Sequence, residues 1–277
     1  RAPCIVGETE HPFTINFSRD DVRITTHYHA DMVASSLFSV IHEGGHALYE
    51  LHTGRELARS NLGTGVSMGI HESQSRFYEN IIGRSRAFCS IIYPWLKEHF
   101  APRLDHVTED DFYRMINKSE PSLIRTEADE LTYCLHIMVR YELEKRMFDG
   151  SLTAHDLPAE WNRLYKEYLG IDVPDDRQGV LQDSHWANGN IGYFPSYAIG
   201  SAYGAQYLQE MSRDLDVDAV VRSGDLTPIN NWLEDRIWKH GCMKDPVALF
   251  ESVCGKFDPD CYVAYLEKKF TEVYGLS

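Results

Sequence analysis

Positive charge is what this chain most conspicuously lacks. Its 277 residues carry 27 Lys and Arg against 42 Asp and Glu, a formal net charge of −15. A surface of that sign repels phosphate backbones and anionic lipid, so neither nucleic acid nor a membrane is expected as a partner. No run of eighteen apolar residues occurs, so no transmembrane helix is expected either. Cysteine is sparse: Cys4, Cys89, Cys134, Cys242, Cys254 and Cys261 are scattered and form no C-x-x-C pair. That spacing excludes a zinc ribbon and a dithiol redox motif. The cysteines lie mostly beside apolar residues and read as free thiols in a reducing compartment, which makes the cytoplasm the expected location. Repeats, low-complexity tracts and linker-like stretches are also missing, which points to one compact domain over residues 1–277.

What the chain does have is the stretch Ile41-His42-Glu43-Gly44-Gly45-His46-Ala47. Residues four apart on a helix lie on one face, one turn apart. Two imidazoles so placed reach one metal ion, and a Glu beside the first reaches a water at that ion. Apolar residues at Met32, Val33, Leu37, Val40, Ile41, Leu48 and Leu51 recur at helical spacing, which predicts a helix from about Ala30 to Leu51. Gly44 and Gly45 each lower helix propensity by about 1 kcal/mol relative to Ala. Two glycines in mid-helix suggest close approach by another group: either a substrate over the metal or a neighbouring helix.

Ahead of this helix, Phe13 to Phe17 and Val22 to Thr26 alternate apolar and polar residues around Ser18-Arg19-Asp20-Asp21, predicting a small β-hairpin. Beyond it the pattern is helical near 72–99, 110–117, 122–148, 157–168, 195–214, 226–239, 245–254 and 259–274, punctuated by Pro94, Pro121, Gly150 and Pro174. Gly170 to Phe194 shows no period and reads as a long loop of the kind that carries function. The fold class is mainly α, with a small sheet near its N-terminus.

A catalytic zinc takes three protein ligands and keeps one position open. Glu72, in His71-Glu72-Ser73-Gln74 after the Gly63-Thr64-Gly65 loop, is the candidate third ligand, with Glu79, Asp129 and His136 as rivals. His71 points away from Glu72 by about 100° on a helix, which suits a place behind the ligands. Arg125, in Ile124-Arg125-Thr126-Glu127-Ala128-Asp129, offers a planar fork for a carboxylate, or for an ordinary ion pair with a nearby acid. The segments Gly179 to Trp186 and Gly189 to Tyr197 gather Gln182, Asp183, His185, Trp186, Tyr193 and Tyr197 on Gly-rich chain, suited either to oxyanion hydrogen bonding or to covering the core.

Taken in order, His11-Pro12-Phe13, Asp21 to Thr25, His42 to His46, His71 to Gln74, Ile124 to Asp129 and Gly179 to Trp186 resemble the carboxypeptidase Taq family of metallocarboxypeptidases, M32. The resemblance implies a zincin-like helical metallopeptidase domain and a carboxypeptidase of broad preference, acting on peptides with a free C-terminus. It implies His42, His46 and Glu72 as ligands to Zn2+, with Co2+ or Mn2+ as substitutes, and Glu43 as general base. It suggests Arg125 as holder of the terminal carboxylate, and His185 and Tyr193 near the scissile carbonyl. Arg23, Asp183 and Tyr197 stand with Arg125 as candidate substrate-binding residues. The family's members are commonly homodimers and are longer, with a helical part ahead of the His-Pro-Phe motif, so the chain is expected to be the C-terminal catalytic portion of such a protein. The alternatives are an oligo-endopeptidase or dipeptidyl-type peptidase on the same scaffold, or an inactive zinc-stabilised fragment. No Gly-x-Met-Glu-Asn motif for a substrate amine occurs, which speaks against an aminopeptidase.

Overall fold

The computed structural model of the chain describes residues 3–276. Three strands open it: β1 (Cys4–Glu8), β2 (Thr14–Ser18) and β3 (Asp21–Thr26). β2 and β3 form the expected antiparallel hairpin, with Thr14 opposite Ile24 and Ile15 opposite Arg23. β1 adds to the other side of β3 in parallel, giving the order β1-β3-β2. Its sequence, Cys-Ile-Val-Gly-Glu, has no alternation to announce it, and four of its five residues are exposed. Main-chain pairing to β3 holds it there. The inward residues of β3, Val22 and Ile24, meet Val40, Ala47 and Leu51 of helix α1 (Val33–Leu51).

Helices follow as α2 (Met68–Arg76), α3 (Arg86–His99), α4 (Glu109–Ile116), α5 (Tyr133–Phe148), α6 (Leu157–Leu169), α7 (Pro195–Asp214), α8 (Val217–Ser223), α9 (Thr227–Arg236), α10 (Pro246–Cys254) and α11 (Asp260–Tyr274). The chain is therefore mainly α with one small sheet. The expected helix over 72–99 is interrupted. α2 runs into a π-helical segment, Phe77–Ile82, and α3 restarts where the Ser85 hydroxyl accepts the Phe88 N–H. Pro94, read as punctuation, lies inside α3. The expected start at 122 also fails, because α5 begins only at Tyr133. Arg125 sits in a single 3-10 turn, and the Asp129 carboxylate takes the N–H groups of Leu131 and Thr132 ahead of the helix. No helix or strand interrupts residues 170–194 among the described residues, as expected. The six cysteines are free, and among the described residues no helix is long and apolar enough to cross a membrane.

The described residues group into two compact units. The first joins the chain up to Ile116 with the chain from Gly200 onward, and the second is the inserted stretch Asn117–Ile199. The boundary after Ile199 falls inside α7, so no change of composition marks it. The first unit is built on Ile70, Phe77, Tyr207, Trp238 and Phe250, all fully buried. The second is built on Val139, Leu143, Trp161, Leu164 and Tyr165 of α5 and α6.

Candidate metal centre

In the first unit, α1 carries His42 and His46 with ring centroids 5.0 Å apart. Helix α2 crosses α1 closely at Gly45, where an added Cβ would stand 2.6 Å from the Gln74 carbonyl oxygen and 2.7 Å from the Ser75 Cα. Gly200 of α7 is held as tightly, since a Cβ there would lie 2.7 Å from Cβ and Cγ of Glu72. These contacts press the 3 % exposed Glu72 toward the two histidines. Gly44 is different, with nothing within 4 Å of its ideal Cβ. Of the two explanations for the glycine pair, helix packing accounts for Gly45.

The donor atoms converge. Glu72 Oε2 lies 3.8 Å from His42 Nε2 and 3.4 Å from His46 Nε2, and all three ligand atoms fall within 4.8 Å of one another. Ligands about 2.05 Å from a tetrahedral zinc stand about 3.3 Å apart, so the set fits a small divalent cation. The far side of each ligand is occupied. His42 Nδ1 meets Glu79 Oε2 at 2.8 Å, and Arg76 and Arg84 also bond Glu79. His46 Nδ1 meets His71 Nδ1 at 2.8 Å. Arg76 Nε donates to Glu72 Oε1 at 2.8 Å. Such outer partners fix ligand orientation in metal sites. Glu79, a rival ligand in the sequence, thus stands behind His42.

Charge in the cluster is strongly organised. Burial pushes the Glu72 carboxyl up, but Arg76, His42 and His46 outweigh it and hold it well below the usual range. Burial lowers His46 to about 4, leaving the ring neutral with a lone pair for a cation. His42 is also pushed down by burial, but the charges of Glu72 and Glu79 win and raise it. Glu50 behaves similarly to Glu72. Burial raises its carboxyl, and the hydrogen bond and charge of His71, the Gly65 N–H and Thr64 bring it below normal.

Glu43 is 7 % exposed, and burial raises its carboxyl above the ordinary value. The Thr14 hydroxyl on β2 donates to Glu43 Oε2 at 2.5 Å. The hairpin therefore touches the motif through a side chain, and β2 is an edge strand of the sheet. Arg23 lies on β3 but on the outward face, 3.0 Å from Asp21 and over the Phe17 ring, opposite to the residues that pack on α1. It does not join the centre.

The second unit gathers the other candidates into one cluster. Asp183 bridges two buried guanidinium groups, with Arg125 Nη2 at 2.7 Å and Arg140 Nε at 2.6 Å. Arg125 Nε also reaches Asp183 at 3.0 Å, and its Nη1 donates to the Tyr133 hydroxyl. The fork is thus occupied by a buried ion pair with a nearby acid. His185 Nε2 meets the Tyr197 hydroxyl at 3.0 Å, and its ring centroid is 5.5 Å from that of Tyr193. The long loop is pinned by Glu144, which accepts from Trp186 Nε1 at 2.7 Å and the Gly192 N–H at 3.1 Å. The rivals Asp129 and His136 lie in this unit with other duties. Asp129 accepts the Leu131 and Thr132 N–H groups ahead of α5, and His136 Nδ1 meets the Tyr165 hydroxyl at 3.1 Å.

The model of the carboxypeptidase Taq (M32) metallopeptidase family matches residues 3–270. The chain belongs to that family. It is 45% identical over 271 residues to carboxypeptidase 1 of Bacillus subtilis (strain 168), a match spanning 97% of this chain and 54% of the relative. It is 44% identical over 270 residues to thermostable carboxypeptidase 1 of Thermus thermophilus, spanning 96% of this chain and 52% of the relative. Among solved structures it superposes on the M32 carboxypeptidase of Deinococcus radiodurans R1 with a TM-score of 0.96 at 39% identity, covering 99% of this chain and 56% of that one. The chain spans about half the length of the curated relatives it matches.

Besides Arg76 and Arg84, this M32 chain's centre uses Glu50, Thr14 and Gly200, none of them a candidate from sequence. Glu50 carries a signal that was there to be read, since it follows His46 by four positions and so shares its helix face. Thr14 and Gly200 carry none. Thr14 is 29 residues from its partner Glu43, and Gly200 matters only because α7 crosses Glu72.

Proposed function

We propose that the chain is the catalytic portion of a metal-dependent carboxypeptidase that releases single residues of broad type from peptide C-termini. The observation that carries this reading is the convergence of His42 Nε2, His46 Nε2 and Glu72 Oε2 on one point, with buried Glu43 next in the chain to the first of them. His42, His46 and Glu72 would hold the ion, Zn2+ by donor type, with Co2+ or Mn2+ as substitutes. A divalent cation there supplies Lewis acidity, polarising the scissile carbonyl and acidifying water. Glu43 takes the proton from the attacking water and returns it to the leaving amine. Burial raises its carboxyl, which suits a group that must both accept and release a proton. Thr14 holds one Glu43 oxygen and so orients the other. The β2 edge offers main-chain groups for an extended peptide.

His185 and Tyr193 are the candidate donors to the developing oxyanion. Arg125 is the candidate anchor for the substrate carboxylate, with Tyr197 and Asp183 beside it; Arg23, paired with Asp21 on the outward face of β3, takes no part. A substrate carboxylate at Arg125 must share the fork with Asp183. An endopeptidase on the same scaffold would need no such anchor. A cytoplasmic homodimer acting on peptides is the setting the family resemblance supports.

One N-blocked peptide, supplied as free acid and as C-terminal amide, tests the reading. Stepwise release of single residues from the acid only, abolished by a chelator and restored by Zn2+, is the expected result. Equal cleavage of both forms would replace the carboxypeptidase with an endopeptidase. Cleavage that survives the chelator would remove the metal from the mechanism.

A further inference from the structure

We infer that His71 and Glu50 are positioning residues, a two-step relay that fixes the ring and tautomer of His46 and so sets the cation affinity of the centre. The inference rests on the reading of His42, His46 and Glu72 as metal ligands. It begins with a problem of hydrogen count. His46 Nδ1 and His71 Nδ1 are 2.8 Å apart. Two imidazole nitrogens at that distance need one hydrogen between them. His46 Nε2 faces Glu72 and keeps its lone pair for the ion, so the hydrogen belongs to His46 Nδ1. His71 Nδ1 is then the acceptor, and its own hydrogen sits on Nε2. That nitrogen lies 2.6 Å from Glu50 Oε1. Every hydrogen from the ligand to the carboxylate is thereby assigned in one direction.

The far end of the relay is fixed. Glu50 is 3 % exposed. Its oxygens also accept from Asn16 Nδ2 at 2.7 Å, from the Thr64 hydroxyl at 2.8 Å and from the Gly65 N–H at 3.0 Å. All these partners donate, so Glu50 is an acceptor that cannot turn. The His71 ring is fixed as well. Its centroid lies 5.0 Å from that of His46 and 4.9 Å from that of Tyr49. A Cβ on Gly65 would stand 2.7 Å from His71 Cδ2 and 2.8 Å from Nε2. This gives the Gly63-Thr64-Gly65 loop a purpose: its last glycine leaves room for the ring, and its N–H feeds Glu50.

The two histidine ligands are thus supported differently. His42 leans directly on Glu79, whose charge is shared with Arg76 and Arg84. His46 leans on the His71 imidazole, and among the described residues no Lys or Arg forms an ion pair with the carboxylate behind it. Behind His42 stands one carboxylate shared with two guanidinium groups, and behind His46 a ring and then a carboxylate held by Asn16, Thr64 and the Gly65 N–H.

The test is cation affinity of the purified chain, read by competition of Zn2+ with a chromophoric chelator and by the visible absorption of bound Co2+. His71→Phe keeps a ring and removes both nitrogens. It should weaken Zn2+ binding by about 10- to 100-fold and shift the Co2+ bands. Glu50→Gln should act in the same direction but less strongly. The double variant should lose no more than His71→Phe, because one relay is cut twice. Gly65→Ala, which leaves every relay side chain in place, should weaken Zn2+ binding by crowding the ring. Unaltered affinity and Co2+ bands in folded His71→Phe would overturn the relay. Should that variant not fold, unaltered values in Glu50→Gln would do the same. The wild-type chain and Glu72→Gln separate this outcome from failure of the centre itself. Wild type that binds no Zn2+, or Glu72→Gln that binds it as well as wild type, would overturn the proposed metal centre.

Discussion

Gly44 and Gly45 are neighbours in the motif and make opposite predictions. Replacing either by Ala removes the same helix penalty, about 1 kcal/mol. At position 44 nothing lies within 4 Å of the new Cβ, so Gly44→Ala should stabilise the chain by about that amount. At position 45 the Cβ would lie 2.6 Å from the Gln74 oxygen and 2.7 Å from the Ser75 Cα. Both are backbone atoms of α2, and no rotamer change relieves them. The propensity gain cancels in the comparison, leaving the cost of overpacking, about 1–3 kcal/mol. Contact with backbone puts the value toward the upper end. Urea unfolding reads it directly, as midpoints about 1 M apart for an ordinary denaturant slope. Zn2+ affinity provides a second reading, because pushing α2 away moves Glu72 from His42 and His46, so only Gly45→Ala should bind more weakly. Coincident midpoints, with equal affinity, would show that α1 and α2 do not pack through Gly45.

Glu43→Gln should lower peptide hydrolysis by at least about 100-fold, the contribution of a general base, while Zn2+ content measured by elemental analysis stays at the wild-type level. Asp183→Ala should leave Arg125 and Arg140 buried without their shared carboxylate. Breaking such a pair costs about 3–5 kcal/mol, and limited proteolysis should report it as early cleavage within residues 117–199. His136 is lowered to about 3, by burial first and by Arg140 and Arg125 second. The unfolded chain takes up that proton near pH 6.5 and the folded chain does not, so this contribution is complete above pH 6.5. It is lost as pH falls from 6.5 toward 3, by up to about 1.4 kcal/mol per pH unit. His136→Gln should flatten that part of the melting-temperature profile, and a profile parallel to wild type would refute the assignment.

The sequence by itself determined what repeats along one element. The helix over 33–51, its two histidines on one face and the glutamate between them follow from the helical period, because neighbours at four residues are fixed by geometry before any tertiary contact forms. The hairpin followed in the same way from alternation. Glu50 was legible by the same spacing and passed unread. The tertiary structure decided what lies across elements. Only the crossing of α1, α2 and α7 at Gly45 and Gly200 makes Glu72 rather than Glu79 the carboxylate facing both histidines. Only the sheet brings Thr14 to Glu43. Only the fold of the second unit joins Arg125, Arg140 and Asp183 in a buried bridge. Period is a property of the backbone and is written locally. Which carboxylate meets which cation depends on how closely two helices approach, and that is set by side-chain volume at points far apart in the chain.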